Sequence, residues 1–319
     1  MAEKWVWNQY WHADRIASCF DDAGASNYDE FIASGWRRLF ESLPAGARVL
    51  DLCAGNGAIA LLAAESGDRL RIVAVDYADI DPRRHLTRHR EELAAIDFRA
   101  GVDIEALPFP DRRFDAVVSQ YGAEYSDLSR SVTEMARVVA PGGRVRLIMH
   151  AAEGSVAETS RRTMAEVDFL LVEVDLVGRA LACFEAVTAA ERKNGASSGD
   201  WQNAKAKLAA FEDALRQTGE RVMVAADPKM LRNAGATLLD LFNRRAGFET
   251  VQLIALGENV RTELRAHRGR LEQLIAAAVT TTRAQAVADM LLQAGAATAE
   301  VTELRAETYL LGHVVEAAF

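Results

Sequence analysis

Two carboxylates and a small-residue loop carry the strongest chemical signal in the chain. Asp51 lies inside the apolar run Val49-Leu50-Asp51-Leu52, four residues ahead of Gly55. A carboxylate buried in such a run is costly unless something pairs with it. The run leads into Cys53-Ala54-Gly55-Asn56-Gly57 and then the helical pattern Ala58–Ser66. A strand, a tight turn and a helix start in that order leave backbone N–H groups facing a ligand. Asp51 suits a cationic ligand there better than a pyrophosphate, which it would repel. Asp76 closes the second apolar run, Ile72-Val73-Ala74-Val75, where an acid can accept from the two hydroxyls of a ribose. Two other readings stay open. Gly55-x-Gly57-x-x-Ala60 also satisfies a dinucleotide fingerprint, and the loop could hold no ligand, with Asp76 capping a helix.

Other residues of chemical type are weighed the same way. His85 and His89 stand at i and i+4, a spacing that can bind a metal, but four arginines surround them and no third ligand follows. A solvated basic helix face is the better reading, and no metal is expected. Four of the five tryptophans fall in the first 36 residues. Trp5, Trp7, Tyr10 and Trp11 could form an apolar lid over an acceptor or simply pack a helix onto the domain. His12 and Tyr28 could reach the same cleft. The cysteines, Cys19, Cys53 and Cys183, are scattered, which excludes a disulfide scaffold and a zinc ribbon.

The elements that would position these groups follow from periodicity. Strands are expected at Val49–Leu52, Ile72–Asp76, Ala116–Val118 and Val145–Met149, the last after the turn Pro141-Gly142-Gly143. Helices are expected over Ala58–Ser66, Pro82–Ala95 and Leu128–Val139, so the pattern predicts a parallel sheet covered on both faces. From Ser155 to about Gly247 the pattern is helical. Leu170, Val174, Val177, Leu181 and Phe184 mark one face, and Trp201, Ala204, Leu208, Phe211 and Leu215 another. The loop from Lys193 to Asp200 joins them, with Asp200 or Ser198 as a cap, into an inserted helical hairpin. Further helices follow around Val260–Ile275 and Val287–Ala294, and two closing strands at Ala299–Leu304 and Thr308–Ala317.

Composition sets the background. The 319 residues carry 46 acidic and 37 basic side chains, a net charge of −9, and half are hydrophobic. That balance argues against nucleic acid or an anionic membrane as the main partner. No apolar run is long enough to span a bilayer, and the first residues lack a signal-peptide pattern, so a cytoplasmic protein is expected.

Taken together, Asp51-Leu52-Cys53-Ala54-Gly55-Asn56-Gly57 resembles the first motif of the class I S-adenosylmethionine-dependent methyltransferases, and Asp76 their acidic second motif. The stretch Asp103–Asp115 is similar to the segment before their fourth strand, and Pro141-Gly142-Gly143 to the turn before their fifth. The likeness is strongest to quinone-type and small-molecule members and covers about residues 45–150. Leu311–Ala317 looks like their closing strand. It implies a Rossmann-like seven-stranded α/β sheet with helices on both faces and an inserted helical cap. The implied division is residues 1–44 as an N-terminal helical lid, 45–151 with 285–319 as the cofactor domain, and 152–284 as the insertion, a substrate cap or a dimer interface.

The resemblance also implies roles. Asp51 would face the amino group of S-adenosylmethionine, and Ala54, Gly55, Asn56 and Gly57 would close the backbone on its ribose and methionine parts. Asp76, with Tyr77 beside it, would hold the ribose. Asp103 would accept from the adenine amino group, the Ile104 N–H would donate to the ring, and Gln120 would sit beside the methionine end. Cys53-Ala54 departs from the usual glycine–small pair, and Cys53 is read as inert. Methyl transfer from a sulfonium needs positioning first and a base only for some acceptors. Candidates for the acceptor side are Tyr121, Glu124 and His150, with His150 at the cleft rim as general base, and Tyr10, Trp11 and Tyr125 as substrate contacts. The rival readings are a methyltransferase-like protein that binds cofactor or partner without catalysis, and a nicotinamide-dependent oxidoreductase.

Overall fold

The computed structural model describes residues 4–18, 27–66, 70–193 and 196–319. Cys19 lies outside the described residues, as do Asn194 and Gly195 of the expected loop. The chain divides into two compact units, Met1–Glu158 with Gln273–Phe319, and Thr159–Glu272.

The first unit is built on a seven-stranded sheet: β1 (Arg48–Leu52), β2 (Arg71–Asp76), β3 (Ile96–Ala100), β4 (Phe114–Gln120), β5 (Val139–His150), β6 (Thr298–Ala306) and β7 (Tyr309–Ala318). Their order across the sheet is β3-β2-β1-β4-β5-β7-β6. The first five strands are parallel, and β7 runs antiparallel between β5 and β6. The chain winds from β1 outward to β3, then returns to place β4 on the other side of β1. A switch of direction like this opens a crevice at the carboxyl ends of β1 and β4. At the opposite end, the backbone N–H and guanidinium of Arg48 both donate to Asp115, at 2.7 and 3.1 Å, fixing β1 beside β4.

Side chains alternate along each strand, so each face of the sheet carries its own core. Leu50 and Leu52 of β1 face helices α6 (Leu128–Val138) and α12 (Thr281–Gln293) with Val132, Met135, Val287 and Leu291. Val49 faces the other way, toward α2 (Glu30–Ser42) and α3 (Ala58–Ala64) with Trp36, Phe40 and Leu61. Asp51 shares the face of Val49 by the same alternation, which is why a carboxylate ends up buried over α3. Asp29 caps α2 through Ile32 N–H at 3.2 Å, and Asp127 caps α6 through Ser129 N–H at 3.0 Å. Helix α1 (Lys4–Trp11) precedes them and belongs to this unit rather than to a separate lid domain.

Several expectations are corrected. The edge strand β3 was not anticipated, because Ile96-Asp97-Phe98-Arg99-Ala100 is largely exposed and shows no apolar run. The helix expected over Pro82–Ala95 is two short ones, α4 (Pro82–His85) and α5 (Arg90–Ala94), separated where His89 takes a left-handed φ of 58°. His85 and His89 therefore do not share a helix face. His85 instead stacks on His12, ring centroids 4.7 Å apart. Pro141-Gly142-Gly143 lies within the long β5 rather than before it, at a register shift against β4. The insertion is shorter than 152–284, because α12 buries Ala284, Val287 and Leu291 in the sheet core.

The second unit is helical, with α7 (Ser155–Asp168) and α11 (Thr250–Ala277) crossing the division and α8 (Leu176–Arg192), α9 (Ser198–Val222) and α10 (Pro228–Asn243) inside it. It is a multi-helix bundle, not a hairpin. Leu170 to Phe184 does not form one helix either: a π turn at Phe169–Glu173 and a left-handed Asp175, φ 41°, separate α7 from α8. The cap of α9 is Ser197, which accepts from Asp200 N–H while Asp200 accepts from Ser197 N–H. Phe184, Phe211, Leu231, Leu238 and Leu253 fill the core of this unit.

Candidate functional site

The site grows from the turn after β1. Cys53, Gly55 and Gly57 all take left-handed φ, at 55°, 53° and 85°, and Gly57 starts α3 without a side-chain cap. The turn is tied to the end of β2. Ala54 N–H donates to Val75 O at 3.0 Å, and Asp76 accepts from Gly55 N–H and Ala78 N–H, each at 2.8 Å. Asp51 accepts from Ala60 N–H at 3.1 Å. Both acids are buried, at 1% and 8% exposure. Burial lifts the Asp51 carboxyl to about 8, with the Ala60 bond opposing and the Asp76 charge adding to the rise. Burial lifts Asp76 to about 6, held back by its backbone donors and by Lys4.

These acids open onto a cavity of about 750 Å³, its mouth included. Of the expected residues, Asp51, Ala54, Asp76, Tyr77, Gln120, Tyr121, Tyr125 and Trp11 line it together. Tyr28, which spacing could only suggest, lines it too, and so do Lys4, Trp7 and Cys53. Trp7 was legible as part of the aromatic run, whereas nothing in the sequence marked Lys4. Burial and the surrounding acids push the Cys53 thiol well up, so it is not a thiolate nucleophile.

Other expected residues sit elsewhere. Asn56 does not face the cavity. Its Nδ2 donates to Trp11 O, Ala13 O and Arg15 O at 3.0, 3.4 and 2.8 Å, holding the segment after α1. Gly55 and Gly57 shape the turn from behind: a Cβ on either would meet the ring of Trp11 or Phe98 within 3 Å. Tyr10 is turned away, edge-on to Trp7 and Trp11, with the Arg15 guanidinium 4.1 Å over its ring. Asp103 accepts from Glu105 N–H at 2.9 Å within its own turn, and neither it nor Ile104 lines the cavity. The Leu107-Pro108-Phe109 stretch is held from α6, where Glu134 accepts from Leu107 N–H and Arg137 donates to Leu107 O and Phe109 O.

His150 is fully buried, not at the rim. Its backbone N–H donates to Glu124 Oε1 at 2.9 Å, and its Nδ1 lies 2.7 Å from the same oxygen. Tyr121 stacks on the imidazole, centroids 4.2 Å apart, and Tyr125 meets it edge-on at 6.2 Å. The pair thus stands behind two tyrosines that do face the cavity. No three metal-ligating side chains cluster among the described residues, and no described helix is long and apolar enough to cross a membrane.

Five parallel strands with a switch point, a small-residue turn after β1 and an acid at the end of β2 define a Rossmann-like α/β fold. Residues 49–143 match the family described as methyltransferase domain. Curated relatives include demethylmenaquinone methyltransferase of Thermus thermophilus, 36% identical over 34% of this chain and 51% of that protein. The corresponding enzyme of Renibacterium salmoninarum is 37% identical over 41% and 57%. The chloroplastic 2-phytyl-1,4-beta-naphthoquinone methyltransferase of Arabidopsis thaliana is 31% identical over 42% and 54%. The chain spans about half the length of these relatives. Over residues 49–143 the chain is thus similar to a methyltransferase domain.

Proposed function

We propose that the protein binds S-adenosylmethionine and transfers its methyl group to a small apolar or aromatic acceptor. The observation that carries this reading is the pair Asp51 and Asp76, buried on adjacent strands and opening onto one aromatic-walled cavity. Two buried acids in a cavity with no arginine among its described lining residues suit a ligand that brings its own positive charge and a diol. Asp51 would hold the cationic amino-acid end and Asp76 the ribose hydroxyls. The bound cofactor supplies a methyl group already activated on a sulfonium.

What this chain adds is placement. Trp7, Tyr121 and Tyr125 give the acceptor side flat apolar walls that exclude water and fix the approach of the acceptor. His150 and Glu124 act as positioning residues, setting Tyr121 and Tyr125 from behind. The quinone-type names of the relatives support an aromatic acceptor of the same kind. The test is direct. S-adenosylhomocysteine should raise the melting temperature and NADH should not. Reduced naphthoquinones and simple phenols should then support S-adenosylhomocysteine formation from S-adenosylmethionine. Binding without turnover on either class would favour a non-catalytic cofactor-binding protein.

A further inference from the structure

The geometry points to Trp36 as a positioning residue that fixes which end of the Gln120 amide faces the ligand, so that an NH2 group receives the carboxylate of the cofactor's amino-acid end. The inference rests on the cofactor reading above and adds to it a polarity and a residue remote from the motifs.

Trp36 is fully buried in α2, stacked at 6.2 Å against Phe40 and with the Arg146 guanidinium 5.0 Å from its ring. Its indole N–H donates to Gln120 Oε1. An indole nitrogen can only donate, so the amide oxygen must be the end that turns toward it. The assignment of oxygen and nitrogen therefore follows from chemistry. Nε2 is left at the other end of the same planar group. It is buried, has no hydrogen-bond partner among the described residues, and belongs to a residue that lines the cavity and is itself only 7% exposed. A buried donor without a partner is rare and asks for an acceptor.

The sheet order says which acceptor. Asp76 ends β2, Asp51 lies in β1, and Gln120 ends β4 on the far side of β1. A ligand whose diol meets Asp76 and whose ammonium meets Asp51 extends toward β4 with its carboxylate. Lys4, the one cation among the described residues lining the cavity, is at the other end, 5.4 Å from the Tyr77 ring. On the β4 side, the amide of Gln120 is the donor at hand. Had the amide turned over, its oxygen would repel the same carboxylate.

The experiment compares two probes by calorimetry. S-adenosylhomocysteine carries the amino-acid end, and 5′-methylthioadenosine lacks it. Trp36→Phe keeps an aromatic ring and removes the donor. Gln120→Leu removes the amide. Each should weaken S-adenosylhomocysteine about tenfold and leave 5′-methylthioadenosine within twofold. The double variant should bind no worse than Gln120→Leu, because Trp36 acts only through Gln120. Equal weakening of both probes by Gln120→Leu, or unchanged S-adenosylhomocysteine binding in that variant, would overturn the inference while leaving the cofactor reading intact. Additive losses in the double variant would overturn the part played by Trp36. Failure of the unaltered protein to bind either probe would overturn the cofactor reading and the inference with it. A melting curve of each variant separates loss of fold from loss of binding.

Discussion

The Trp11 ring lies so close over Gly55 that a Cβ on that glycine would stand 2.3 Å from Cζ2. The turn after β1 and the end of α1 are thus packed as one object, so that Trp11 itself requires a glycine at position 55. Gly55→Ala must either push Trp11 out or distort a backbone at φ 53°. The left-handed conformation and the overpacking together should cost about 2–4 kcal/mol. Urea unfolding followed by tryptophan emission would measure it, and a loss below about 0.5 kcal/mol would mean that the contact is loose.

Asn56 leads to a second expectation. Its side-chain nitrogen has two hydrogens for three carbonyls, at Trp11, Ala13 and Arg15, so it works as a clip on the segment after α1. Asn56→Ala should release that segment with the fold otherwise kept. Limited proteolysis should cut residues 12–18 at least tenfold faster, read by mass spectrometry.

The two site acids make stability and binding depend on pH with opposite signs. Both folded values, about 8 for Asp51 and about 6 for Asp76, exceed the ordinary 3.8. The folded protein therefore keeps protons that the unfolded chain releases. For these two groups, stability is greatest below about pH 4 and falls as pH rises through 6 and then 8. Asp51→Asn should flatten the decline in melting temperature between pH 6 and 8.

A cation is attracted by the ionised acid, so S-adenosylmethionine should bind more tightly as pH rises toward 8 and should release protons on binding. Calorimetry in two buffers of different ionisation enthalpy reads that release directly. Proton uptake instead would contradict the raised Asp51.

The Glu124–His150 pair predicts a loss of stability rather than of a titrating base. Glu124→Ala leaves the His150 backbone N–H and ring nitrogen without their shared oxygen and should cost about 3 kcal/mol. In His150→Ala, turnover should drop with the shape of the pH–rate profile unchanged, since a positioning residue does not set it. Loss of one limb of that profile would restore His150 as the base.

The sequence made the turn and its acids legible because strand, small residues and helix follow one another locally. Asp51 inside β1 and Asp76 at the end of β2 were legible as acids flanking that turn, and both line the cavity. Asn56 was misread because its partners, Trp11 to Arg15, are more than forty residues away, and spacing carries no trace of that contact. His150 was placed at a rim on its position after a strand, yet Ala123–Tyr125 folds over it and brings Glu124 to its ring. The edge strand β3 and the break at His89 were missed for a related reason. The one offers only a five-residue alternation, Ile96-Asp97-Phe98-Arg99-Ala100, with no continuous apolar run, and a single left-handed residue leaves no pattern for the other.

The antiparallel β7 has a consequence for how the molecule assembles. It sits between β5 and β6, and its pairing partners in β5, such as Leu147 for Val315, lie more than 160 residues earlier. Such long-range pairing is slow because the intervening chain must be brought round first. The helical unit Thr159–Glu272 makes its own core within that interval. During synthesis it can therefore be complete while β5 still has a bare edge, and the sheet closes last. A chaperone acting before β7 emerges would guard that bare edge against pairing with another chain.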